Sequence, residues 1–168
     1  MIYKKQNIAM VPDKVPHADS TIECCTPENV ATASDLVSKL YSGKKDRNGY
    51  PMLSHPYAVG MMGSTNDEVV VGFLHDVFRD TDIDQIELMK MFPIDIVTTI
   101  SMMTRRSGEM YTDYISRIIK SQNTLAFQVK LNDLKYNLAV AEADKSFSLA
   151  NRYRTAITMI ENTNMLRP

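Results

Sequence analysis

The chain has 168 residues, enough for one domain with a core of its own. Hydrophobic residues make up 44% and charged residues 23%, with a formal net charge of -1, which argues against bulk nucleic-acid binding and against charge-driven attachment to an anionic membrane. No apolar run reaches the roughly 18–20 residues of a membrane span, and no signal peptide opens Met1-Ile2-Tyr3-Lys4-Lys5-Gln6, so a cytoplasmic protein is expected.

Residues 1–27 carry Pro12, Pro16 and Pro27 and read as an extended arm that can wrap the domain or a partner subunit, which leaves a homo-oligomer open. His17 in this arm reads as a surface histidine. Cys24 and Cys25 are adjacent, so a disulfide between them would be strained, and two reduced thiols are expected. The remainder, 28–168, reads as one domain. The first helix starts after Thr26 with Pro27 at its first position, carries Val30, Ala33, Val37, Leu40 and Tyr41 at helical spacing, and ends at Gly43. Residues 43–53 form a basic, turn-rich loop with Lys44, Lys45 and Arg47. A short helix runs from about Pro56 to Met62 with His55 at its edge. Thr65-Asn66-Asp67-Glu68 matches a capping box and opens a helix through His75 and Asp76, with Val70, Phe73, Leu74 and Val77 inward. Further helices are expected from Asp82 through Phe92, from Pro93 through Met103, and over 111–121, 124–143 and about 148–161. No hairpin signal or internal repeat interrupts them. The fold class is all-α, a compact bundle of about seven or eight helices. The twelve methionines suit gap filling in such a core.

The chemistry centres on Phe73-Leu74-His75-Asp76-Val77-Phe78-Arg79-Asp80-Thr81. An imidazole and a carboxylate on adjacent residues stand about 100° apart on a helix and can reach one ion at its edge. Two more ligands are needed, and His55 and Asp133 are placed to supply them. Asp133 lies on an apolar helix between Leu131 and Leu134, where a buried carboxylate is costly without a cation or donors. Two imidazoles and two carboxylates suit Mn²⁺ best, with Fe²⁺ or Zn²⁺ as alternatives, and leave positions for water and a phosphate oxygen. Asn137 shares the Asp133 face one turn on. Lys130 is open to two readings, a phosphate ligand or a side chain snorkelling to water. Arg105 and Arg106 are either phosphate ligands or a solvated helix end. Tyr114 and Tyr153 read as core residues.

Three stretches fall in register with a known pattern: Gly49-Tyr50-Pro51-Met52-Leu53-Ser54-His55-Pro56, then Phe73 to Thr81, then Val129-Lys130-Leu131-Asn132-Asp133-Leu134-Lys135-Tyr136-Asn137. Over about residues 30–160 the chain resembles the HD phosphohydrolase superfamily, and more closely the hydrolase half of Rel/SpoT proteins and the small alarmone hydrolases. That resemblance implies an HD domain over 28–168 and metal ligation by His55, His75, Asp76 and Asp133. It also implies Asp80 as the group that orients the attacking water or takes its proton. Arg47 and Lys45, with Lys130, Asn137 and Arg105, become candidate substrate contacts. The implied substrate is a guanosine 3′-diphosphate 5′-polyphosphate that loses pyrophosphate from its 3′ position. One departure stands out. The family has Glu where this chain has Arg79, and an arginine donates hydrogen bonds but is no base at ordinary pH. Arg79 is therefore expected either to pair with a carboxylate such as Asp76 or to reach the substrate's phosphates. The alternatives are an HD phosphohydrolase acting on another nucleotide, such as a nucleotide 5′-phosphate or NADPH, and a catalytically silent nucleotide binder.

Overall fold

The computed structural model describes residues 24–165, with side chains through residue 163. The expected arm and His17 lie almost wholly outside the described residues. Helical segments follow one another as α1 (Pro27–Leu40), α2 (Ser54–Met61), α3 (Asn66–Leu74), α4 (Val77–Asp80), α5 (Gln85–Met89), α6 (Ile94–Met103), α7 (Tyr111–Ser121), α8 (Thr124–Ala143) and α9 (Phe147–Met165). α4 is a single turn. The other eight are the all-α bundle that the apolar periodicity implies, and the described residues hold no strand beyond one isolated bridge, Lys45 to Pro51.

Local chemistry sets most helix starts. Thr26 caps α1 with a reciprocal Asn29 bond, and Ala33 and Val37 turn inward with Tyr41 just beyond the helix end. At α3 the Thr65 hydroxyl accepts from the Glu68 N–H at 3.2 Å, while the Glu68 carboxylate reaches one residue further back, to the Ser64 N–H at 2.7 Å. Several boundaries differ from expectation. α2 begins at Ser54, which puts His55 inside its first turn. The cap of α5 is Asp84, whose carboxylate meets the Glu87 N–H, and not Asp82. α6 begins at Ile94 with Pro93 as its cap, and α9 extends from Phe147 to Met165. The helix expected to run through His75 and Asp76 stops at Leu74, and both residues occupy a turn before α4. At this break the Gly72 carbonyl is engaged by the His75 imidazole at 2.7 Å.

α2 and α3 form an antiparallel hairpin whose crossing depends on two glycines. A Cβ on Gly72 would stand 2.6 Å from the Gly60 Cα, and one on Gly60 would stand 2.3 Å from the Phe73 ring. The helices therefore meet backbone to backbone. α8 docks on the hairpin's turn through buried Asn132, whose amide donates to the Met62 carbonyl at 3.2 Å. The start of α1 is tied to α3 by Asp67, which accepts the N–H groups of Cys24 and Cys25 at 3.1 and 2.7 Å. Both cysteines are free, as expected, and burial raises the Cys24 thiol to about 11. That keeps it protonated, and the carboxylate beside it is already filled by backbone donors, so this group serves to join two helix starts. Among the described residues, no helix is long and apolar enough to cross a membrane.

Candidate metal centre

Four side chains from three elements converge at one end of the α2–α3 hairpin. His55 Nε2 lies 3.1 Å from His75 Nε2, 3.4 Å from Asp76 Oδ2 and 3.2 Å from Asp133 Oδ1. His75 Nε2 lies 3.2 Å from Asp76 Oδ2 and 3.7 Å from Asp133 Oδ1. Ligands about 2.1 Å from a cation stand roughly 3.0–3.4 Å apart on neighbouring positions of an octahedron or tetrahedron. The spacings among His55, His75 and Asp76 and from His55 to Asp133 match that range, and the His75–Asp133 spacing of 3.7 Å is wider.

The protonation logic points the same way. A carbonyl only accepts, so His75 Nδ1 must donate to Gly72, which turns the Nε2 lone pair of the neutral ring toward the cluster. There it faces a second imidazole and two carboxylates, a set rich in acceptors that a cation or a proton can hold together. Burial disfavours charge on His55, but its bonds to Asp133 and Asp76 outweigh burial and raise it to about 9. A divalent ion fits the same donor set and would be held by His55, His75, Asp76 and Asp133. The Tyr136 ring, 5.0 Å from the His55 ring, limits the imidazole's freedom.

Asp133 is secured on both oxygens. Lys130 Nζ donates to Oδ2 at 2.6 Å, and Asn137 Nδ2 donates to Oδ1 at 2.5 Å. Burial alone would raise this carboxyl, but the Lys130 ammonium and the histidines hold it well below the usual carboxylate range. Lys130 thus follows neither expected reading. It is 7% exposed, so it does not snorkel, and its ammonium faces Asp133 with the Tyr114 ring 4.8 Å below. Asn137 likewise holds the Asp133 carboxylate in place. Tyr114 is a core residue, as expected, and its hydroxyl donates to the Met103 carbonyl.

Arg79 joins two carboxylates. Its Nη2 donates to Asp76 Oδ2 at 2.6 Å and to Asp80 Oδ2 at 2.8 Å, and its Nε donates to Asp80 Oδ1 at 2.7 Å. Asp80 also accepts from the Tyr41 hydroxyl at 3.2 Å, and its backbone carbonyl accepts from Lys44 Nζ at 3.2 Å. Asp80 therefore stands beside the donor set, linked to it through one guanidinium. Of the basic loop, Lys44 makes this contact, a residue that the charge pattern did not separate from its neighbours. Lys45 pairs through its backbone with Pro51, and Arg47 lines an open hollow with Asn48, Tyr50, Asp144 and Ser146. The guanidinium of Arg105 is turned onto the Glu109 carbonyl of its own loop. Reading the sequence missed Arg117, which holds that loop by donating to Met102 O, Thr104 O and the Glu109 carboxylate at 2.7–3.2 Å. Nothing in its helical context marked it out.

An all-α fold with this His-His-Asp-Asp cluster is similar to the HD phosphohydrolases as a class. Comparison with known proteins narrows the likeness. No family model matches the chain. It is 25% identical over 124 residues to the guanosine-3′,5′-bis(diphosphate) 3′-pyrophosphohydrolase of Borreliella burgdorferi, across 70% of this chain and 18% of that protein. The chain therefore spans under a fifth of that relative's length. A solved structure described as a metazoan orthologue of SpoT that hydrolyses ppGpp, with a role in starvation responses, superposes with a TM-score of 0.62 at 16% identity, covering 86% of this chain and 100% of the other. The overall sequence is thus similar to an alarmone hydrolase, and the fold is shared with the metazoan structure.

Proposed function

We propose that the protein is a divalent-metal-dependent phosphohydrolase of the HD kind, acting on a phosphorylated nucleotide and suited by its motifs to a guanosine 3′-diphosphate. The observation that carries this reading is the convergence of His55, His75, Asp76 and Asp133 at 3.1–3.7 Å, with Asp80 joined to them through Arg79. The named activities of the Borreliella relative and of the metazoan structural neighbour support the choice of substrate. A bound ion, Mn²⁺ in this proposal, would acidify water and polarise a phosphate oxygen.

The chain's own residues do the rest. Lys130 and Asn137 keep Asp133 ionised and aimed. Gly72 fixes the His75 tautomer. Asp80 orients the attacking water and takes its proton. The water oxygen bonds to the phosphorus attached to the ribose 3′ oxygen, the bond between them breaks, and the 3′ oxygen leaves with a proton while pyrophosphate is released. Lys44 and the basic loop face the remaining negative charge. A cytoplasmic location belongs to the same proposal.

One observation favours a second reading. Arg79 engages both Asp80 oxygens, which leaves fewer acceptor positions for a water and favours hydrolysis of a different nucleotide, or binding without turnover. Purified protein with Mn²⁺ should be offered a panel of 3′- and 5′-phosphorylated nucleotides, with products separated by chromatography. Pyrophosphate released from a guanosine 3′-diphosphate supports the main reading. Orthophosphate from another nucleotide replaces it with the alternative enzyme, and tight binding without product identifies a silent binder.

A further inference from the structure

Arg79 places a permanent cation on a carboxylate of the donor set. Asp133 has the buried Lys130 ammonium, whereas Asp76 receives the Arg79 guanidinium at 2.6 Å, on the same Oδ2 that faces both imidazoles. A divalent ion seated among the four donors must share or take that oxygen. The guanidinium is free to yield it, since the Arg79 side chain is 56% exposed and keeps a separate bidentate grip on Asp80. Charge works in the same direction. A glutamate at position 79 would make these surroundings two units more negative than the arginine does.

We propose that Arg79 is a built-in competitor of the metal, a resident cation that lowers the site's affinity for a divalent ion and so makes occupancy depend on ion concentration. The inference rests on the reading that the four donors hold a metal. The effect is large even under heavy screening. A unit positive charge about 6 Å from a divalent ion weakens its binding by about tenfold at the dielectric of bulk water, and by more inside a protein.

The test is isothermal titration of metal-free protein with Mn²⁺ alone, without nucleotide. Arg79→Ala and Arg79→Gln should bind at least tenfold more tightly than wild type, and Arg79→Glu more tightly still. Arg79→Lys, which keeps the charge, should stay within a few-fold of wild type. Helical content and melting temperature confirm that each variant folds. Equal or weaker binding in both neutral variants overturns the proposal, because a residue that merely braced the site would lower affinity when removed. If no variant binds Mn²⁺, or Asp133→Ala binds it as well as wild type, the site assignment falls and the inference with it. Absence of turnover with the affinity order intact would count against the proposed reaction alone.

Discussion

Lys130 and Asp133 form an ion pair in the core, and separating them should reveal how the site is held. Their contact is 2.6 Å, and the two side chains are only 9% and 6% exposed. Asp133→Ala leaves the Lys130 ammonium buried with the Tyr114 ring as its main remaining partner. Removing one partner of a buried pair costs about 3–5 kcal/mol, whereas replacing the pair by apolar groups of similar volume is close to neutral. For a domain of this size, about 2–4 °C of melting temperature accompanies each kcal/mol, so Asp133→Ala should melt on the order of 10 °C lower. The double variant Lys130→Met with Asp133→Ala should recover at least half of that loss. Neither variant should retain bound metal. The assay is urea and thermal unfolding followed by circular dichroism in EDTA, closed as a double-mutant cycle, with metal content by elemental analysis. A loss below about 1 kcal/mol in Asp133→Ala, or a double variant no more stable than the single, would refute the argument, since both follow from an uncompensated buried charge.

Four further outcomes follow from the same geometry. Asp80→Asn should keep its metal and lose at least about two decades of kcat, the range expected for a general acid–base group, and near-normal turnover would remove Asp80 from the mechanism. Gly72→Ala should cost about 1–3 kcal/mol by forcing α2 and α3 apart, and should weaken Mn²⁺ binding because the hairpin sets the His55–His75 distance; unchanged metal affinity would detach the crossing from the site. Arg79→Glu should change the proportions in which the nucleotide panel is hydrolysed, with a shift toward guanosine 3′-diphosphates if wild type prefers another substrate; identical proportions would make Arg79 a bystander in specificity. Metal-free protein should lose stability as pH rises from about 6.5 to about 9. The His55 pKa is raised in the folded state, so its contribution is complete below the unfolded value and disappears above the folded one. A denaturation midpoint independent of pH across that window would contradict this.

Much of the molecule was legible in the chain itself. Apolar spacing outlined α7 and α8 to the residue, because the 3.6 period and the caps are local properties. The His75-Asp76 pair, with His55 and Asp133 in register, marked a candidate donor set because the three motifs together resemble the HD pattern. What lay beyond local reading was how the elements meet. Gly60 and Gly72 are unremarkable letters until two backbones cross at them. The break after Leu74 moves His75 and Asp76 off a helix face and into a turn, where the Gly72 carbonyl orients the imidazole. Lys130 is an internal counter-ion because α7 lays Tyr114 against it, and the turn from Asp76 through Asp80 brings Arg79 onto both carboxylates. Residue type and spacing along the chain decide which groups can ligate, accept or donate. The ion pairs themselves are local, Lys130 with Asp133 and Arg79 with Asp76 each three residues apart, but packing of helices distant in sequence decides how far water is excluded from them, and that sets their strength.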